Sequence, residues 1–190
     1  MDRFANRGLI PYVTVGVFWL ALENAWLALL AYHGLILYCR KPWECRDISV
    51  SRWLTLVSGF FVIAGPLVYF LLPIVVRAPI GEWLADFGLS GPWFLAMVPY
   101  FGLVHPILEQ HYWAPLCERS VWSHFLFAGY HLLVLGSLVK SLWLIPIFAA
   151  LAGVSWFWHE LRKRRGGALA ATVSHVLADT GIVIAAWLRV

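Results

Sequence analysis

Three short polar stretches interrupt a chain that is otherwise apolar, and each carries residues able to move protons. Glu109-Gln110 follows Pro106, Phe127 and His131 stand four residues apart, and His175 and Asp179 share that spacing. A separation of four places two side chains one turn apart on one face of a helix. Asp179 can therefore accept the other ring N–H of His175, the one turned away from the reacting groups, and fix its tautomer. Glu109 is a candidate general base, and His131 is a second imidazole for holding a water or facing a developing oxyanion. Two histidines and a carboxylate would equally suit a hydrolytic zinc with an open fourth position, ligated by Glu109, His131 and His175, and residue types alone leave both options open.

The elements that must position these groups are membrane helices. Of the 190 residues, 62% are hydrophobic and only 13% charged, and the mean hydropathy is +0.77. That composition describes an integral membrane protein. A carboxylate at mid-bilayer costs roughly 2.5–3.5 kcal/mol on insertion scales, so an ionisable group in such a segment marks a site by default. The net charge of +4 resides in short connections, which points to membrane orientation and away from nucleic acid. Three cysteines, Cys39, Cys45 and Cys117, form no CxxC pair and indicate neither a disulfide framework nor a thiolate zinc site.

With about 20 residues needed per crossing, the chain reads as an all-α, polytopic transmembrane bundle of about six spans in one domain, residues 1–190. The spans are placed at Leu9–Tyr38, Leu54–Val76, Pro92–Trp113, Val121–Val139, Leu142–Trp158 and Leu169–Leu188, with an interfacial helix within Ala78–Gly91. The first block runs too long for the apolar core of a cleavable signal and is interrupted by Glu23-Asn24. Trp43, Trp53, Trp83, Trp113, Trp122, Trp143 and Trp187 fall near span ends, as interfacial anchors do. A single-pass first block puts nine Lys and Arg on one side (Arg40, Lys41, Arg46, Arg52, Arg119, Arg162, Lys163, Arg164, Arg165) and five on the other (Arg3, Arg7, Arg77, Lys140, Arg189), with both termini outside. On this frame Glu109 lies about one turn, His131 two to three turns and His175 two turns from the inner ends of their spans, so all three agree in depth. His105, one turn before Glu109, could tune it. Glu23, Asn24 and His33 either line the same cavity or pack helices together, His111, His124 and His159 face headgroups, and the Arg162–Arg165 run anchors topology.

Pro106-Ile107-Leu108-Glu109-Gln110, then Phe127-xxx-His131, then His175-xxx-Asp179 resembles the three-motif pattern of the CAAX prenyl protease and bacteriocin-processing (CPBP) family of glutamate-type intramembrane endopeptidases. That pattern reads Glu-Glu-xxx-Arg, Phe-xxx-His and His-xxx-Asn/Asp. The likeness is strongest over residues 92–187, where the Gly153–Arg165 span with its basic tail precedes Gly166-Gly167 and the His175 helix. It implies a peptide hydrolase of the plasma membrane of a bacterium or archaeon. Glu109 would activate water, His131, His175 and Asp179 would complete the site, and no cofactor would be needed. The implied partner is a membrane-associated protein or peptide: a prenylated tail, a bacteriocin leader or a C-terminal sorting helix. Two positions depart from the pattern, with Gln110 at its second Glu and Ala114 at its Arg. Loss of both members of an ion pair is tolerated better than loss of one, so the absent pair reads as structural and Gln110 as dispensable.

Two other readings compete. A haem- or quinone-binding bundle would use His131 and His175 as axial ligands, and a catalytically silent homologue would keep the fold as a scaffold or immunity partner.

Overall fold

The computed structural model describes residues 5–39 and 52–190. Trp43, Cys45, Arg40, Lys41 and Arg46, invoked above, lie outside the described residues, as does Arg3. The described residues are 83% helical and contain no strand. After a single helical turn at Ala5–Gly8, the helices are α1 (Ile10–Ala21), α2 (Ala25–Cys39), α3 (Arg52–Val75), α4 (Ile80–Asp86), α5 (Gly91–Cys117), α6 (Trp122–Leu135), α7 (Ser141–Arg162) and α8 (Gly167–Trp187). Four of them, α3, α5, α7 and α8, are long and apolar enough to cross a membrane. The protein is accordingly a helical membrane protein. Large apolar side chains on the outer helices face outward, among them Phe60, Phe70, Leu142 and Ile145, as lipid in place of water permits.

The first apolar block is not one span. The chain turns over at Leu22–Asn24, where Glu23 adopts a left-handed φ of 49°, and Asn24 Oδ1 accepts the Leu27 amide at 2.9 Å to cap α2. The turn docks beside α4, with the Ala25 amide donating to the Phe87 carbonyl at 3.0 Å and Trp19 stacked on Phe87. At the other end of this hairpin Arg7 and Cys39 both lie near Tyr112 of α5. The fold-back moves Arg7 to the opposite side from the one a single-pass block gives it. Among the described residues, Arg7, Arg52, Arg119, Arg162, Lys163, Arg164 and Arg165 then share one end of the bundle, against Arg77, Lys140 and Arg189 at the other. The charge asymmetry sharpens to seven against three.

The most enclosed of the four long helices is α8: 44% of its apolar window is buried, against 11% for α7 and 17% for α3. Its neighbours approach closely because small residues meet there. A Cβ on Gly65 of α3 would come within 2.8 Å of the Gly181 backbone, and one on Gly102 of α5 within 2.7 Å of Thr180 Oγ1. Pro106 has no N–H to offer the carbonyl four residues back. That carbonyl belongs to Gly102, and Thr180 Oγ1 donates to it at 3.0 Å. This exchange pins α5 to α8 about two turns before Glu109 and directly beside Asp179. Gly102 itself lies within Tyr100–Val104, which is wound as a π-helix, a device frequent near functional sites. The α7–α8 reversal depends on two glycines: Gly166 has a left-handed φ of 66°, and a Cβ on Gly167 would strike the Leu161 carbonyl.

Candidate active site

Helix α5 continues through Pro115 to Cys117, so Glu109 lies two turns, about 12 Å, from the basic end rather than one turn. His131 begins nine residues into α6 and His175 eight into α8, which gives about 13 Å and 12 Å by the same rise per residue. The three depths agree, and the side chains meet.

Glu109 is fully buried. Its Oε1 accepts the hydroxyl of Tyr32 at 2.8 Å and that of Tyr130. Its Oε2 has no hydrogen-bond partner and is faced by His105 Nε2 at 3.4 Å and His175 Nε2 at 3.8 Å. A carboxylate oxygen buried without a partner is uncommon in native proteins and calls for a functional account. Asp179 Oδ2 lies 3.3 Å from His175 Nε2. The carboxylate therefore shares the ring nitrogen that faces Glu109, where the sequence suggested it would take the other one. That other nitrogen, Nδ1, meets Gln110 Nε2 at 3.1 Å, and Trp158 stacks on the ring at a centroid distance of 4.1 Å. His131 joins Glu109 indirectly: its Nε2 lies 3.1 Å from the Tyr130 hydroxyl and its Nδ1 is 2.7 Å from the Phe127 carbonyl.

Compared with protein-family models, curated proteins and solved structures, the chain matches none. The site must be read from its own geometry. It brings together Glu109, His131, His175 and Asp179, and adds groups that the sequence reading assigned elsewhere. Nothing in the sequence marks Tyr32 or Tyr130, which both bind Glu109. Trp113 is no interfacial anchor: it is buried and donates from Nε1 to the Tyr32 hydroxyl at 3.0 Å. Gln110 is not dispensable, since it bonds His175, and Arg162 does more than anchor topology, since it donates to Gln110 Oε1. His105 is buried against Glu109, and His33 joins it at 3.0 Å while its Nδ1 meets the Tyr100 hydroxyl at 2.9 Å. His124 does not face headgroups: it is buried, with Nδ1 2.9 Å from Ser155 Oγ.

Among the described residues no group of three or more His, Cys, Asp or Glu is disposed to hold a metal ion. His131 Nδ1 is bound to the Phe127 carbonyl and its Nε2 lies against the Tyr130 oxygen, so neither ring nitrogen faces an open position where a zinc or haem iron would sit. The arrangement instead suits proton transfer. The Tyr32 proton is committed to Glu109 because its oxygen accepts Trp113, so Tyr32→Phe leaves both the carboxylate and the indole short of a partner. Hydrogen bonds to charged groups contribute about 1.5–3 kcal/mol, and Tyr32→Phe is expected to lose about that much stability in denaturant unfolding of the detergent-solubilised protein.

Proposed function

We propose that this protein is a glutamate-type intramembrane endopeptidase that hydrolyses a peptide bond of a membrane-associated protein or peptide. The observation that carries the reading is the fully buried Glu109 carboxylate, anchored at one oxygen by two phenols and unpaired at the other, where two imidazole nitrogens face it. A water bound at Oε2 would lose its proton to Glu109 as its oxygen attacks the scissile carbonyl, and an N–H at His175 Nε2 would stabilise the oxyanion. A carbonyl only accepts, so His131 Nδ1 donates to Phe127, and its Nε2 keeps a lone pair toward the Tyr130 hydroxyl. Glu109 returns the proton from Oε2 to the leaving amine, and the tetrahedral intermediate collapses to acid and amine with no net proton gained or lost.

The first apolar block supplies two passes instead of one, so the bundle makes seven passes, short α1, α2 and α6 included. Positive-inside orientation makes the end bearing Arg7, Arg52, Arg119 and Arg162–Arg165 cytoplasmic. The site then lies in the cytoplasmic leaflet of a plasma membrane, bacterial or archaeal by the resemblance to the CPBP family. That resemblance also supplies the substrate classes: a prenylated tail, a bacteriocin leader or a C-terminal sorting helix. The chemistry proposed needs no metal, so hydrolysis should persist in excess EDTA and phenanthroline.

Mapping protein termini in membranes with and without the gene tests the reading. New termini should disappear on deletion and return with the wild-type gene. An unchanged set of termini in the deletion strain overturns it.

A further inference from the structure

We infer that Arg162 and Gln110 lock His175 in the tautomer that carries its hydrogen on Nε2, so that the ring presents a donor and not a lone pair to Glu109. The chain of reasoning needs only hydrogen-bond chemistry. A guanidinium has donors and no acceptor, so the atom of Gln110 that meets Arg162 must be the amide oxygen. The amide NH2 is thereby turned toward His175 Nδ1, 3.1 Å away. An amide nitrogen donates and does not accept, so Nδ1 must hold its lone pair. The proton of the neutral ring is left on Nε2, which points between Asp179 Oδ2 at 3.3 Å and Glu109 Oε2 at 3.8 Å. The Trp158 face holds the ring plane, and the Gly166-Gly167 reversal lets the end of α7 bring Arg162 to α5 and α8.

This account gives the two departures from the three-motif pattern a common meaning. A glutamate at position 110 would accept from Nδ1–H and impose the opposite tautomer, with an Nε2 lone pair facing Glu109. Here the residue is Gln, the position one turn on is Ala114, and the arginine comes from α7 instead. The site is rewired, with His175 Nε2 restricted to donating. The catalytic consequence, an N–H preset for the oxyanion, rests on the hydrolase reading above; the tautomer itself does not.

The test is nitrogen NMR on the full-length protein labelled with 15N-histidine in nanodiscs, with His175 assigned by its absence from His175→Gln. The wild-type ring should show a pyridine-type Nδ1 and a pyrrole-type Nε2. Gln110→Glu should exchange the two signals, and should lower hydrolysis roughly 10²-fold, the usual loss for one oxyanion donor. Arg162→Lys should retain the wild-type pattern, while Arg162→Met frees the amide to turn and should bring in the Nδ1–H form. Unchanged signals from His33 and His124 report that each variant is folded. A protonated Nδ1 in the wild type, or an Nδ1 signal indifferent to Gln110→Glu in a folded protein, overturns the inference. Failure of the wild type to cut any peptide while the signals still exchange overturns the hydrolase reading alone.

Discussion

Glu109→Gln should lower the rate of peptide hydrolysis by about 10²–10⁴-fold, the range for removing a positioned general base. The substitution keeps the shape of the side chain, so its effect is chemical. The amide oxygen can take the place of Oε1 and still accept Tyr32 and Tyr130, whose hydroxyls reach it from α2 and α6. The amide NH2 then occupies the position of Oε2, where it has no proton affinity to offer a water and presents donors toward His175. Initial rates in proteoliposomes, on a substrate identified from the mapped termini, measure the loss. Glu82→Gln, an exposed carboxylate on α4 at the opposite end of the bundle, should cut at the wild-type rate. Undiminished hydrolysis by Glu109→Gln would remove this carboxylate from the mechanism.

The meeting of Glu109, His131 and His175 was legible because polar groups in apolar helices are few and their depths can be counted from the helix ends. The i, i+4 spacing of His175 and Asp179 fixed their contact as soon as the segment was helical. Other features were hidden for physical reasons. The fold-back at Glu23 joins two segments of equal apolarity, so hydropathy reads through it, and only the Glu23-Asn24 pair signals a break. Tyr32, Tyr130 and Trp113 look like packing, since an aromatic ring shows its polar atom only when a partner lies near it. Gln110 and Arg162 are 52 residues apart, and their contact depends on how α7 ends against α5. An arginine at the head of a basic run at a helix end reads as orientation whatever else it does. Pro115 suggests a helix end and so places Glu109 only one turn deep, whereas α5 ends at Cys117.

His175→Asn should reduce hydrolysis by about 10²–10³-fold, the loss found when one oxyanion donor is deleted, whereas His175→Gln should retain a larger share of the rate. The contrast follows from shape. Asparagine places its amide nitrogen near where Nδ1 stands, while glutamine reaches farther, to the position of Nε2, and an NH2 there can donate as the ring does. A histidine acting as a base at Nε2 would be replaced by neither residue, and both variants would fall equally. A histidine acting as a donor is partly replaced by glutamine alone. Both variants lose the stack on Trp158 and leave Gln110 without its ring partner, so their structural costs are similar and the difference in rate reports the donor. Equal losses in the two variants, with their Trp158 environments matched by fluorescence, would return the basic role to His175 and leave Glu109 with a competitor for the water proton.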